Sequence, residues 1–158
     1  MKLSAKLSIL LILFLYACTG ANTEVKKSWK NNINTLAIVD LTSKNYDLMD
    51  AGARLFNSLE NSIDKTGFHL AGKNAKYQLK FKIVEYDSGN RLARLATLGI
   101  ADSAKAKLKV KAALYSDDVL VGGWVVDSWL KGGIVGGSED KVFAKAAEEI
   151  VQHLKGEY

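Results

Sequence analysis

Proline is absent from this chain of 158 residues, cysteine occurs once, and histidine occurs twice. Without proline, no turn has a backbone fixed by a pyrrolidine ring. A single cysteine excludes an internal disulfide, so the fold must depend on the burial of apolar side chains. Hydrophobic residues make up 48% of the chain and charged residues 25%, a composition that is typical of a folded globular protein.

Residues suited to catalysis are also scarce. His69 and His153 are isolated in the sequence, and neither has a carboxylate at a spacing typical of metal ligands. No serine lies in a Gly-x-Ser-x-Gly motif. The glycine-rich stretch 132–138 has the glycine spacing of a P-loop but lacks the lysine that contacts phosphate. We therefore expect a protein that is not an enzyme and that holds no metal and no cofactor.

The N-terminal stretch has the pattern of a secretory signal. Lys2 and Lys6 precede an apolar run of about ten residues, half of what a helix needs to span hydrocarbon. The run ends in Leu15-Tyr16-Ala17-Cys18, which resembles the lipobox of bacterial lipoproteins. The resemblance implies cleavage before Cys18 and acylation of that cysteine, for example with palmitate. The alternative is an ordinary cut after Ala21, which would remove Cys18 together with the signal peptide.

The segments after the signal suffice for one domain. We interpret residues 1–17 as a lipoprotein signal peptide, 18–34 as the acylated cysteine and a polar tether, and 35–158 as a single domain. The net charge of +5 falls to 5 − 2 = +3 without the two signal lysines, too little to indicate a nucleic-acid partner. Thr19 stands where an aspartate would resemble an inner-membrane retention signal. We therefore expect an outer-membrane anchor and a periplasm-facing domain.

Hydrophobic periodicity predicts an α/β (α+β) sandwich, with a mostly antiparallel sheet of about 4–5 strands and two helices on one face. The glycine pair at 122 and 123 predicts a bulge in the last strand. The expected elements are a strand at 35–41, a helix from 43–45 to about 65 closed by Gly67, strands at 68–70 and from 77, a helical or irregular insertion at 91–98, a hairpin of strands from 105 to 130, and a helix capped by Ser138.

Several glycine-containing motifs occur in the second half of the chain. They are Gly89-Asn90-Arg91, the stretch GIADSAK at 99–105, the hairpin to Trp129, and Gly136-Gly137-Ser138 before an alanine- and glutamate-rich helix. Together they resemble an uncharacterised domain-of-unknown-function family of small bacterial outer-membrane lipoproteins. The architecture is also similar to the amino-terminal domain of the Tol-Pal translocation protein and to lipoprotein activators of penicillin-binding proteins. These resemblances imply an envelope adaptor or assembly factor.

Lysines at every second position form the most specific surface pattern. Because strand side chains alternate between faces, one face of this strand is expected to be basic and the other apolar. The candidate partner- or anion-binding residues are Lys105, Lys107, Lys109, Lys111, Arg91 and Arg94. The alternatives are a solvated face kept soluble by lysine and, for the arginines, ion pairs with Asp87 or Asp102. Trp124 and Trp129 are expected on opposite faces of the last strand, which leaves one of them partly exposed.

These patterns favour a cell-envelope lipoprotein, anchored through Cys18, that acts as a non-catalytic adaptor or assembly protein. The expected partners are the membrane, reached through the anchor, and an envelope protein or an anionic glycan or lipid, with no nucleic acid. The alternative is a small-ligand or lipid carrier that uses a cleft near 132–138. A long edge strand left unpaired would favour a homo-oligomer.

Overall fold

The fold is a six-stranded sheet with two helices, seen in a computed structural model that describes residues 19–42, 46–89, 105–130 and 138–157. The strands lie in the order β1-β6-β5-β4-β2-β3. This is the expected α+β sandwich, with more strands than expected. The elements are β1 (Thr19–Lys27), β2 (Thr35–Asp40), α1 (Tyr46–Ile63), β3 (His69–Leu70), β4 (Tyr77–Asp87), β5 (Ala106–Ser116), β6 (Val119–Leu130) and α2 (Asp140–Lys155).

The sheet is antiparallel on one side and parallel on the other. Strands β1, β6, β5 and β4 pair antiparallel, whereas β2 pairs parallel with both β4 and β3. Helix α1 connects β2 to β3, as a parallel neighbour requires a crossover. Strands β5 and β6 are joined by a tight turn in which Asp117 and Asp118 have φ of 47° and 63°. Positive φ at both central residues is the geometry of a type I′ hairpin turn.

Both helices cover the same face of the sheet, and the core lies between the two layers. Residues 106, 108, 110, 112 and 114 of β5 all point into it, as their alternation predicts. In β6, the register shifts between the partners of Leu114 and Tyr115, so Val121 is an extra residue. The bulge predicted beside Gly122 is therefore confirmed. The largest fully buried side chains are Trp124, Phe81, Phe143, Leu36, Leu55, Leu59, Ile63, Leu79, Ile83, Leu108, Leu114 and Leu130.

The tether predicted at 18–34 is wrong for most of its length. Thr19–Lys27 forms the edge strand β1, with Thr19 paired to Leu130. Trp29, which is 8% exposed, donates its indole N–H to the carbonyl oxygen of Leu154 at 3.0 Å. The composition is misleading because an edge strand has one solvated side and one solvated face, so it can be polar and still complete a sheet. The folded unit therefore begins by Thr19.

The ends of the helices differ in detail from the sequence prediction. Helix α1 ends at Ile63, and among the described glycines a left-handed φ occurs at Gly89 and Gly156, not at Gly67. Thr66 closes this end instead, because its hydroxyl donates to the Ile63 carbonyl oxygen at 2.6 Å. Helix α2 begins two residues after Ser138, whose Oγ still accepts the amide N–H of Asp140 at 3.2 Å.

Candidate functional site

The face of the sheet opposite the helices, here called the open face, carries the predicted lysines. Lys107 and Lys111 are exposed and Lys109 is partly exposed, in alternation with buried residues, as expected. Lys105 immediately precedes β5. Strand β4 adds Lys82, which is the register partner of Lys111 and so lies on the same face.

Carboxylates from neighbouring strands interleave with these lysines. Lys107 pairs in register with Asp87, and Lys109 pairs with Glu85 on one side and Asp127 on the other. The Lys109 Nζ lies 3.3 Å from an Asp127 carboxylate oxygen. The open face is therefore a mixed-charge surface. Sequence reasoning missed this because the acidic partners come from strands whose register only the folded sheet defines.

Farther from β1 on the same face, lysines lie across from another lysine or over an aromatic ring. Lys82 and Lys111 are direct cross-strand partners, an arrangement of like charges that costs stability. Lys80 lies 4.6 Å from the centre of the Tyr115 ring, a cation–π contact, and 3.4 Å from Asp118. The lysines thus have unequal surroundings despite their regular spacing.

The two tryptophans of β6 lie on opposite faces, as predicted. Trp124 is 1% exposed and packs in the core, whereas Trp129 is partly exposed on the open face. Gly20 of β1 is the register partner of Trp129. A Cβ at Gly20 would lie only 2.6 Å from indole atoms Cε2 and Cζ2, so the ring lies across this glycine. Glycine here permits the indole to lie close against the edge strand.

A groove of about 280 Å³ lies beside this indole. Its lining combines an aromatic ring, aliphatic lysine stems, and charges of both signs, which suits recognition of an amphipathic ligand or surface. The lining residues are Glu85, Lys105, Lys107, Leu108, Lys109, Asp127, Ser128 and Trp129. Three of the predicted lysines are therefore brought together here, while Lys111 lies outside the groove.

A second polar cluster, missed by the sequence analysis, joins the two helices to β4. Arg54 of α1 donates to Asp140 at 2.6 Å, to Glu139 at 2.9 Å and to the Tyr86 hydroxyl oxygen at 3.0 Å. Its guanidinium carbon also lies 4.3 Å from the centre of the Phe143 ring. The sequence contained one signal for this cluster: a single arginine in the first helix and two adjacent acidic residues, Glu139 and Asp140, at the start of the second.

The cluster changes the protonation equilibria of its members. Burial alone lowers the pKa of Arg54, but its hydrogen bonds to Asp140 and Glu139 outweigh this and raise the pKa above its ordinary value. The hydrogen bond from Ser138, followed by those from Arg54, lowers the pKa of the Asp140 carboxyl. Burial raises the pKa of Tyr86. These shifts favour the charged forms of Arg54 and Asp140 and the neutral form of Tyr86 at neutral pH, and the geometry of the cluster is that of a structural clamp.

The histidines differ from each other. His69 is exposed in β3, whereas His153 is 7% exposed, with its ring 6.1 Å from that of Trp124. Burial lowers the pKa of His153. Within the described ranges, no group of three or more His, Cys, Asp and Glu side chains is placed to hold a metal ion.

Several predicted site residues lie outside the described residues. They are Cys18, Arg91 and Arg94, together with the glycine-rich stretch at 132–137 that was proposed as a carrier cleft. Among the helices of the described ranges, none has the length and apolar character needed to cross a membrane.

No protein-family model matches this chain, and no curated protein matches it. Similar solved structures include the PelC dodecamer from Paraburkholderia phytofirmans, at 12% identity and a TM-score of 0.49, covering 87% of this chain and 98% of that one. A minor lipoprotein from Acinetobacter baumannii is similar at 12% identity and a TM-score of 0.48, covering 78% of this chain and 91% of that one.

A PDZ domain protein from Parabacteroides distasonis is similar at 10% identity and a TM-score of 0.45, covering 96% of this chain and 39% of that one. A lipoprotein is thus among the similar structures, but no family is identified for the residues from Tyr77 onward. At these identities and TM-scores, the similarities assign no function to this chain.

Proposed function

We propose that this protein is a cell-envelope lipoprotein, anchored through Cys18, whose single domain binds another envelope component without catalysis. The observation that carries the proposal is the lipobox-like Leu15-Tyr16-Ala17-Cys18 immediately before a folded strand. Anchored at the outer membrane, the domain would face the periplasm.

The position of β1 supports cleavage before Cys18 over cleavage after Ala21. A cut after Ala21 would delete the first three residues of β1, including Gly20, and remove their pairing with β6. Ala21 is partly buried against the core. A cut before Cys18 leaves the whole strand in place. The folded domain is therefore compatible with an acylated Cys18 as the first residue of the mature protein.

The open face is the proposed partner surface. It combines an aromatic ring, a groove and charges of both signs, and the helices leave it uncovered. These features suit an envelope protein or an anionic glycan or lipid with complementary charges. In the groove, the Ser128 hydroxyl donates to the backbone carbonyl oxygens of Leu108 and Val142 and not to a general base, which favours binding over catalysis at this face.

The anchor is tested by fractionating membranes from cells that produce the intact protein or Cys18→Ser, with mass spectrometry of the mature N-terminus. We expect the intact protein, with Cys18 acylated, in the outer-membrane fraction, and we expect Cys18→Ser to be absent from that fraction. Ala17→Gly, which keeps a small residue before the cut, is the matched control and should behave like the original. A soluble product that begins near Asn22 would contradict the proposal.

The partner surface is tested by cross-linking in intact envelopes. The double variant Lys107→Glu/Lys109→Glu should lose a salt-sensitive cross-linked product because it reverses two charges on the open face. Lys141→Glu, an exposed charge reversal on α2, is the control and should retain the product. Equal cross-linking of both variants would exclude the open face as the binding surface.

A further inference from the structure

The residue that follows Cys18 and the open-face groove lie at the same end of the sheet. Cys18 directly precedes β1, whose first residue pairs with Leu130, and Leu130 in turn pairs with Ala106 of β5. Lys105 therefore lies at the same end of the sheet as Thr19, the residue that follows Cys18 in the sequence. One residue farther along β1, Gly20 lies across from Trp129, which in turn lies across from Lys107. Since β1 begins at Thr19, an acylated Cys18 would be bonded directly to the first residue of this strand.

Because β1 begins directly after Cys18, the row of Gly20, Trp129 and Lys107 would lie close to the bilayer. Gly20 follows Cys18 by two residues, which is about 7 Å of extended strand. The polar interfacial layer of a bilayer is about 5–8 Å thick on each side of the hydrocarbon. An acyl chain on Cys18 starts at the hydrocarbon boundary, so the Trp129 indole beside Gly20 would lie at the depth of the headgroups.

The side chains at this end have the chemistry of a membrane interface. Tryptophan is enriched at the headgroup level because it has an apolar ring and one polar N–H. Lysines beside it attract anionic headgroups, and their aliphatic stems can lie along the apolar boundary. Lys105 and Lys107, opposed by Asp87, leave a net charge of +1 on these rows. Charge therefore contributes little, and the indole supplies most of the contact.

We propose that Gly20, Lys105, Lys107 and Trp129 form a membrane-contact patch that seats the anchored end of the sheet on anionic phospholipid headgroups. The proposal rests on acylation of Cys18, which is the proposed function. It adds an orientation: the strands stand on the membrane, and the β5–β6 turn points away from it. In this orientation the indole and its end of the groove contact lipid, and the part of the open face left for a periplasmic partner carries Lys80, Lys82, Lys109 and Lys111.

The test uses the intact acylated protein in vesicles of phosphatidylcholine and phosphatidylglycerol with brominated acyl chains, which quench nearby tryptophan. Trp29 and Trp124 are 8% and 1% exposed, so their emission should persist. Trp129 should be quenched, and Trp129→Phe should abolish the quenched component. Replacing the anionic lipid with phosphatidylcholine, or introducing Lys105→Gln/Lys107→Gln, should reduce quenching slightly. Lys80→Gln/Lys82→Gln is the control and should leave quenching unchanged.

A second reporter tests the orientation. Val119, 63% exposed at the β5–β6 turn, lies ten residues from Trp129, about 34 Å along the strand. In Trp129→Phe/Val119→Trp, the introduced tryptophan should be unquenched. If that double variant misfolds, Val119→Trp alone should add an unquenched component while the Trp129 component stays quenched. Equal quenching at both ends would overturn the orientation.

The outcomes separate this proposal from the anchor itself. Mass spectrometry of the same sample shows whether Cys18 is acylated, and absence of the acyl groups overturns the proposed function and the patch together. An acylated protein whose Trp129 is unquenched by lipid but still quenched by aqueous acrylamide overturns only the patch. That result is the one expected if this groove instead binds a soluble glycan or protein.

Discussion

Replacing Arg54 with methionine should destabilise the domain. The change keeps an unbranched apolar side chain in place of the arginine stem but removes the hydrogen bonds to Glu139, Asp140 and Tyr86. The Arg54 side chain is 21% exposed, so most of it is withdrawn from water. The clamp between α1, α2 and β4 would then be lost, Glu139 and Asp140 would lose the guanidinium, and Asp140 would keep its hydrogen bonds with Ser138.

The magnitude follows from the number and exposure of these bonds. A hydrogen bond to a charged group contributes about 1.5–3 kcal/mol, but exposed ion pairs contribute less than about 1 kcal/mol. Asp140 is 72% exposed and Glu139 is 36% exposed, so solvent screening reduces both contributions. We expect a total loss of about 2–3 kcal/mol. For a domain of this size, that corresponds to a fall in Tm of about 8 °C.

The assay is thermal and urea unfolding of the mature chain carrying Cys18→Ser, followed by circular dichroism and tryptophan fluorescence. Arg54→Lys should recover part of the loss, since it keeps the charge but not the two-nitrogen contact with Asp140. In a double-mutant cycle, Arg54→Met with Asp140→Asn should lose less than the sum of the single changes. A fall in Tm below about 2 °C for Arg54→Met would refute the clamp.

The pH dependence of this difference has a defined sign. The pKa of Asp140 is lowered from its ordinary 3.8, so its contribution is present above that value in the folded protein. It is lost as the pH falls through the lower, folded-state pKa. The stability difference between the original protein and Arg54→Met should therefore shrink in strong acid. A difference that stays constant to below pH 2 would contradict the role of the carboxylates.

Three further predictions concern other sites. Burial lowers the pKa of His153 from its ordinary 6.5, so the unfolded chain binds a proton there more readily than the folded protein. As the pH is lowered below about 6.5, the free energy of unfolding should therefore decrease, by at most about 1.4 kcal/mol per pH unit. His153→Leu should flatten this dependence in urea titrations and the exposed His69→Gln should not; equal effects would contradict it. Lys82→Glu should raise the free energy of unfolding by about 0.2–1 kcal/mol because it places a negative charge opposite Lys111. Adding Lys111→Glu should restore like-charge repulsion and cancel that gain. If the second change stabilised the protein further, the prediction would be wrong. Asp118→Gly should raise the free energy of unfolding by about 0.5–1 kcal/mol because glycine accepts the φ of 63° without strain, and a lower Tm would refute this.

The alternation of side chains made much of the fold predictable. Along β5, lysine and apolar residues alternate so regularly that both faces of the strand followed from period two. The same argument put Trp124 and Trp129 on opposite faces, and the 3.6-residue period identified both helices. These features are local: each depends on neighbours within one element, and those neighbours are adjacent in the chain.

Pairing across long sequence separations was not predictable. Polar residues from Thr19 to Lys27 gave no apolar pattern, and their place beside β6 became evident only from backbone hydrogen bonding along a sheet edge. Likewise, the neutralisation of Lys109 by Asp127 depends on strand register, and the contact of Arg54 with Asp140 depends on how two helices pack. The periodicity of the chain determines which side of each element is buried. Tertiary structure decides which charged groups meet and whether the polar segment from Thr19 to Lys27 joins the edge of the sheet, because packing and not order in the chain sets those distances.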